Sequence, residues 1–273
     1  MAPARGQFTI LYHRAMRLDP VASNRGRTMS ATPPTASDRP RQSTVRMEEL
    51  LPHEWDAIRQ HTPIVYWPHG LIEWHGEHLA IGNDAVKAEA LCLRIAERYG
   101  GMVYPTSYFG LEFAVPFDPK YGRGGNISVH EELFRQIARR TYRQLGRAGF
   151  KVIVAITGHY PPEQPGLLKE EAEAVMRTAR GPLKIWAMAD YETVTDLDYT
   201  GDHAAKWETS ILWHLRPDLV DMSQLPADPN VELWGVGGLD PREHASQRVG
   251  RDICEAIIDR VGQRALAMLG ELG

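Results

Sequence analysis

The sequence predicts an α/β fold, a single layered domain with a mostly parallel central sheet and helices on both faces. Three observations predict it. The near-continuous run of Val, Ile and Ala over 150–156 is the pattern of a strand covered on both sides, as parallel sheets require. Strand and amphipathic-helix patterns alternate four or so times from residue 47 onward, the order that right-handed crossover units produce. Three strand patterns run straight into polar clusters, at 68–84, 157–163 and 190–208, and open α/β sheets bind ligands beyond the carboxyl ends of their strands.

In chain order, 48–59 fits a short helix and 64–67 is the first apolar strand. Asp84 can cap a helix over 85–98, whose buried stripe includes Val86, Leu91 and Ile95 and which Gly100 and Gly101 stop. A short strand is expected over 102–106. The stretch 107–126 is rich in Gly, Pro and aromatic residues and lacks a period; loops of that length often line active sites. Ser128 and Glu131 have capping-box spacing before a helix that ends by 146–149. Then come the strand at 150–156, a helix over 167–179, a strand over 184–189 and a loop over 191–206. A short helix over 207–215 is stopped by Arg216 and Pro217. Residues 231–236 read as strand or loop. The last helix starts near Arg242 or Ser246 and reaches Leu269, with a bend expected near Gly262.

Bulk properties narrow the class. The chain has 273 residues and a formal net charge of −4, which gives no reason to expect nucleic acid or an anionic membrane as partner. No apolar stretch approaches the ~20 residues that span a bilayer. Cys92 and Cys254 both fall in helical patterns and read as buried small hydrophobes rather than a disulfide, which suits a reducing, cytoplasmic compartment. Residues 1–44 hold seven Arg against two Asp and no lasting period. They form a flexible or arm-like extension outside the domain of 45–273, either dispensable or reaching a neighbouring subunit.

His69, Glu73, His75, Glu77, His78 and Asp84 place six ionisable side chains within sixteen residues, directly after a buried strand. Imidazole and carboxylate together suit borderline divalent ions. Glu73 and His75, two apart, point the same way in extended backbone. The residues alone leave a second reading, in which Asp84 only caps its helix and the histidines are loop residues. The same holds for His159, a ligand or a surface histidine at the rim, and for Glu208, a ligand or a carboxylate that complements a helix N-terminus. The zincin pattern is excluded, because His75-x-x-His78 is flanked by glycine and is not helical. No P-loop, dinucleotide turn or nucleophile elbow is present.

Residues 68–84 read Pro-His-Gly-Leu-Ile-Glu-Trp-His-Gly-Glu-His-Leu-Ala-Ile-Gly-Asn-Asp. This resembles the creatininase (creatinine amidohydrolase) family pattern Pro-x-Gly-x-x-Glu-x-His-Gly-x-His-Leu-Pro-x-x-Thr-Asp. Three further patches resemble family segments: Gly-Asn-Ile-Ser at 125–128, Thr-Gly-His at 157–159, and His-Ala-Ala-Lys-Trp-Glu-Thr-Ser at 203–210. The resemblance covers roughly 47–225. It implies a creatininase-like fold and a dinuclear site, with Glu73 and His159 on one ion, His75 and a second glutamate on the other, and Asp84 between them. In creatininase proper the second glutamate follows the Gly-His histidine by two residues, where this chain has Pro161. Glu208 then becomes the fifth ligand, with Glu163 behind it. Two divalent ions are implied, Zn2+ or Mn2+, and Fe2+ is also compatible with the ligand set.

The implied function is a metal-dependent hydrolase that opens a small cyclic amide or lactam C–N bond with a dimetal-activated water. A hydrolase that cleaves a C–C bond in a cyclic polyol ketone of the inosose type is the alternative. A metal-binding protein without catalysis is a third reading. His203, or an acidic neighbour such as Glu77, would move the proton. His69, Trp74, His78 and Tyr160 are the candidate substrate-binding residues. Trp74, Ala80 and Asn83 stand where the family commonly has other residues, and imply a substrate other than creatinine. The family also implies a homo-oligomer, commonly a hexamer.

Overall fold

The computed structural model describes residues 44–111 and 126–273. The expected N-terminal extension lies outside the described residues apart from Thr44, as do most of the 107–126 loop and Gly125 of the Gly-Asn-Ile-Ser match.

The central sheet has four parallel strands in the order β3-β1-β5-β6. They are β1 (Ile64–His69), β3 (Met102–Val103), β5 (Val152–Thr157) and β6 (Lys184–Ala189). Every residue of β1 and β5 is buried, as their unbroken apolar patterns require. Side-chain parity splits the core in two. Ile64, Tyr66, Val152, Val154 and Ile156 face one layer, with α2 (Asn83–Tyr99), α5 (Lys206–Leu215) and α7 (Gln247–Gly270). Val65, Trp67, Ile153 and Ala155 face the other, with α1 (Pro52–His61), α3 (Glu131–Arg147) and α4 (Glu163–Thr178). Helices therefore cover both faces, as the sequence predicts. Cys92 and Cys254 are buried free thiols in the first layer. No described helix is long and apolar enough to cross a membrane.

Several boundaries differ from expectation for local reasons. The helix expected over 48–59 splits into a 3-10 turn, Met47–Glu49, and α1, because Pro52 restricts Leu51 to extended backbone and starts a new helix at its first position. The strand expected to reach residue 106 ends at Val103, since Pro105 has no N–H for the ladder. Ser128 does not cap α3, which starts at Glu131. An extended bridge between Leu111 and Val129 holds 128–129 out of the helix. Residues 231–236 form loop, not strand. The last helical stretch is divided into α6 (Pro241–His244) and α7, and α7 runs through Gly262 without interruption. A Cβ at Gly262 would lie 2.1 Å from the Tyr99 ring, so that glycine allows α7 and α2 to approach.

A second sheet had no signal in the sequence. β2 (Ile72–Glu73) pairs antiparallel with β4 (Asn126–Ile127), opposing Glu73 to Asn126. This clip fixes Glu73 beyond the end of β1.

Candidate metal centre

The sheet gathers the three polar clusters at its carboxyl edge. His69 ends β1 opposite Thr157 of β5, and Thr157 pairs with Ala189 at the end of β6. His159 follows β5 directly and Asp190 follows β6. α2 sits hard on these ends. A Cβ on Gly70 would lie 2.1 Å from Ala85 N, and one on Gly158 would lie 2.2 Å from Asp84 O. Glycine at both positions lets the first turn of α2 reach the strand ends.

Asp84 is the second residue of α2, not its cap. Its carboxylate turns into the centre: Oδ1 lies 2.9 Å from His75 Nε2 and Oδ2 lies 3.1 Å from His159 Nδ1. Glu73 Oε2 stands 3.0 Å from His159 Nδ1, and Glu208 Oε2 stands 3.4 Å from His75 Nε2. Two buried triads result, Glu73–Asp84–His159 and His75–Asp84–Glu208, each with one donor atom per residue and all within 4.8 Å of one another. They share Asp84. Glu73, His75 and His203 form a third such group.

The outer nitrogens of both histidines face backbone carbonyls. His75 Nδ1 lies 3.0 Å from Glu73 O, and His159 Nε2 lies 3.1 Å from Leu111 O. A carbonyl only accepts, so these nitrogens carry protons, and the lone pairs of His75 Nε2 and His159 Nδ1 are directed at the carboxylates. His75 Nε2 is buried without a hydrogen-bond partner of acceptable geometry. Carbonyl-oriented imidazoles beside a shared carboxylate are a donor set that fits divalent cations.

Without a cation, protons take that place. Burial opposes charge on the His75 ring, but Asp84 and Glu208 outweigh it and raise its pKa to about 10. Burial likewise opposes charge on His159, and Asp84 and Glu73 raise its pKa to about 9. Burial alone would raise the Asp84 carboxyl, yet His75 and His159 hold it well below the usual range.

Beneath this layer lie groups that hold Glu208 in place, among them Lys87, which sequence reasoning missed, and Tyr160, expected there as a substrate contact. Lys87, fully buried, donates to Glu208 Oε1 at 2.6 Å and stands 3.3 Å from Asp190 Oδ2. Tyr160 donates its hydroxyl to Glu208 Oε1 at 2.8 Å. The Ala204 N–H donates to Glu208 Oε2 at 2.7 Å. Asp202 accepts from the N–H groups of Trp207 and Glu208 and so caps the start of α5. Burial and the nearby Glu208 raise its pKa to about 7. The available signal for Lys87 was a lysine four residues before Leu91, inside the apolar stripe of α2.

A cavity of about 510 Å³ opens over the centre. Glu73, Asp84, His159, His203 and Glu208 line it, with Tyr160, Pro161, Tyr191 and Val236 among its walls. His203 stacks beside His75 with ring centroids 4.4 Å apart, and its Nε2 lies 3.0 Å from Trp74 O. Burial, and then the charge of His75, lower its pKa. The remaining candidates fall elsewhere. His69 is fully buried and packs on Trp67 and Phe134, on the strand face that Val65 and Trp67 share; it is not among the lining residues. His78 is buried, with its Nε2 2.8 Å from Thr209 Oγ1, and supports α5 rather than the cavity. Trp74 is buried and enters through its carbonyl. Glu77 is exposed on the turn, and Glu163 is exposed at the start of α4. Neither lines the cavity.

Comparison with known proteins follows the same pattern. The sequence profile of the Creatininase family, described as creatinine amidohydrolase, matches residues 48–263. The chain is 27% identical over 253 residues to a creatinine amidohydrolase of Pseudomonas putida, covering 80% of this chain and 95% of that protein. Among solved structures it is similar to a creatininase described as Mn, with a TM-score of 0.68 and 24% identity over 84% of this chain and 99% of the other. It is also similar to a mutant creatininase of Zn-Zn type, with a TM-score of 0.69 and 23% identity over 85% and 99%. These two likenesses concern the fold.

Proposed function

The chain belongs to the creatininase (creatinine amidohydrolase) family, and from that premise we propose that it is a metal-dependent hydrolase opening the C–N bond of a small cyclic amide or lactam. The observation that carries this reading is Asp84, which offers one carboxylate oxygen to each of two triads whose histidines are both oriented by backbone carbonyls. In this reading Glu73, Asp84 and His159 hold one divalent ion, and His75, Asp84 and Glu208 hold the other, with Zn2+ or Mn2+ suiting the donors. When bound, such a pair supplies Lewis acidity for a carbonyl and makes water easy to deprotonate.

The chain's own groups perform the rest. Glu208 is fixed by Lys87 and Tyr160 on one oxygen and by the Ala204 N–H on the other, so its position does not depend on the cation. The proton on His203 Nε2 is committed to Trp74 O, which leaves Nδ1 as the basic nitrogen. With its pKa lowered, His203 is neutral at pH 7 and can take a proton at Nδ1 and return it to the leaving nitrogen. Tyr160, Tyr191, Pro161 and Val236 give the cavity apolar walls that exclude water around a compact ring. Pro161 and Pro162 have no N–H, so polar contacts to substrate fall to groups such as Thr200 and Asp202.

A homo-oligomer, commonly a hexamer in the family, belongs to the same proposal and is tested by light scattering. A cytoplasmic setting agrees with the two buried free thiols.

The test is a substrate screen on protein reconstituted with Zn2+ or Mn2+, using lactams, creatinine and other cyclic amides, formamides and cyclic polyol ketones. Hydrolysis of a cyclic amide that chelation abolishes and metal restores is the expected result. Opening of a polyol ketone alone would transfer the reading to C–C cleavage. Stoichiometric metal without hydrolysis of any panel member would leave a binding protein.

A further inference from the structure

A second cavity, about 830 Å³, lies apart from the metal centre. It lies at the opposite edge of the sheet, where β5 and β6 begin. Arg140, Arg143, Arg147, Lys151 and Arg180 line it, and among the described residues no carboxylate does. Five cations converge there in a chain whose net charge is −4.

They come from three segments. Arg140, Arg143 and Arg147 are spaced three and four apart on α3 and share one face. Lys151 leads into β5, and Arg180 lies in the α4–β6 connection. Cations at a helix C-terminus complement its dipole, which accounts for Arg147 but not for Arg140 two turns earlier, nor for Lys151 and Arg180. Ion pairing does not account for them either. Earlier on α3, Arg135 and Arg139 pair with Glu170 and Glu171 of α4. That seam stops there, and α4 offers Val175 and Thr178 to the cavity instead. Eleven described arginines lie within 4 Å of a carboxylate. Arg140, Arg143, Arg147 and Arg180 have no ion-pair or side-chain hydrogen-bond partner among the described residues. Like charges three and four apart oppose each other, so the stripe is a cost that the fold leaves uncompensated.

The floor is apolar, formed by Phe150, Val175 and Leu183, and the backbone N–H groups of Arg180 and Gly181 donate to no acceptor among the described residues. A concave site with an apolar floor, several guanidinium groups and free N–H donors matches phosphoryl oxygens, which arginine binds through paired hydrogen bonds. We infer that this cavity is a second binding site, distinct from the metal centre, for a small oligophosphate anion.

The probes are inorganic tripolyphosphate and ATP, titrated by calorimetry into metal-loaded protein at about 0.15 M salt, where exposed charges further apart than ~8 Å are screened. Metal content is checked after each titration, so that chelation at the other edge is not read as binding. Saturable binding is expected, weakened at least about tenfold in the Arg143→Gln/Arg147→Gln variant, the loss expected of two charge-assisted contacts. Tighter binding of ATP than of tripolyphosphate would mean that the base uses the apolar floor, whereas equal binding would assign the site to the phosphate chain alone. Arg248→Gln, an exposed arginine on α7 also without a described partner, should bind as the wild type does. All four arginines in the cavity are exposed, so glutamine in their place leaves the core intact. Binding unchanged in the double variant, equal weakening in Arg248→Gln, or no saturable binding overturns the proposal. Hexaglutamate binding tighter than tripolyphosphate also overturns it and points to an acidic protein partner.

Discussion

Lys87 donates to Glu208 at 2.6 Å with both side chains buried, and Asp190 stands 3.3 Å away on its other side. One cation thus serves two carboxylates beneath the metal centre. Breaking a buried pair from one side leaves charge uncompensated and typically costs about 3–5 kcal/mol. Lys87→Met is expected to lose stability of that order in denaturant unfolding. Lys87→Met/Asp190→Asn should recover part of the loss, because one of the two orphaned charges is gone. A single variant within about 1 kcal/mol of wild type, the ordinary effect of a surface change, would remove this role.

The two glutamates proposed for the fifth ligand position differ in setting. Glu208 is buried in a triad with His75 and Asp84, whereas Glu163 is exposed on α4. Glu208→Gln keeps the shape but loses the anionic donor, so metal analysis should find one ion of the pair lost or held at least about tenfold more weakly. Glu163→Gln should retain full content and activity. The opposite outcome would move the ligand to α4.

The metal-free protein should show a distinct pH dependence. His75 and His159 titrate near 10 and 9 in the folded chain, above the ordinary value of about 6.5. A raised pKa adds stability that is complete below about 6.5 and disappears as pH rises through the folded values. The melting temperature of metal-free protein is therefore expected to fall between pH 7 and pH 10, while the metal-loaded protein, with no proton on these nitrogens, stays flatter. Loading at pH 7.5 should release about two protons per subunit, measurable by calorimetry in buffers of different ionisation enthalpy. Parallel pH curves for the two forms, with no proton release, would contradict the account.

Gly158 tests how tightly α2 is seated. A Cβ there would fall 2.2 Å from Asp84 O and 2.8 Å from Lys87 Cε. Backbone cannot yield as a flexible side chain does, so Gly158→Ala should cost about 1–3 kcal/mol and lower metal affinity by displacing Asp84. Gly166→Ala, with nothing within 4 Å, is the control expected to be neutral or slightly stabilising. Thermal melts and metal titrations on both variants read the difference.

The strands β1, β5 and β6 were legible in the sequence because long apolar runs have one stable destination, the middle of a covered sheet. The residues of the two triads fall in the polar clusters that follow such strands, but the residues alone left a second reading for Asp84, His159 and Glu208, and it is the family resemblance that implied the ligand set. The β2–β4 clip was not, since two-residue strands carry no period. His69 was misjudged as a pocket residue although it shares parity with Val65 and Trp67, and that face of β1 is core. Lys87 escaped notice because a charge inside an apolar helical stripe is interpretable only once its partners, 103 and 121 residues further along the chain, are in place. Pattern locates elements and chemical type, while long-range pairing decides which charged groups are buried together.

The central claim is that Asp84 joins two cation sites, and the most direct measurement is metal content by mass spectrometry after reconstitution and removal of excess ion. About two divalent ions per subunit are expected in the wild type, and at most about one, without hydrolysis, in Asp84→Ala, since both triads lose a donor. Fewer than about one ion per wild-type subunit, or full metal content and activity in Asp84→Ala, would contradict the account.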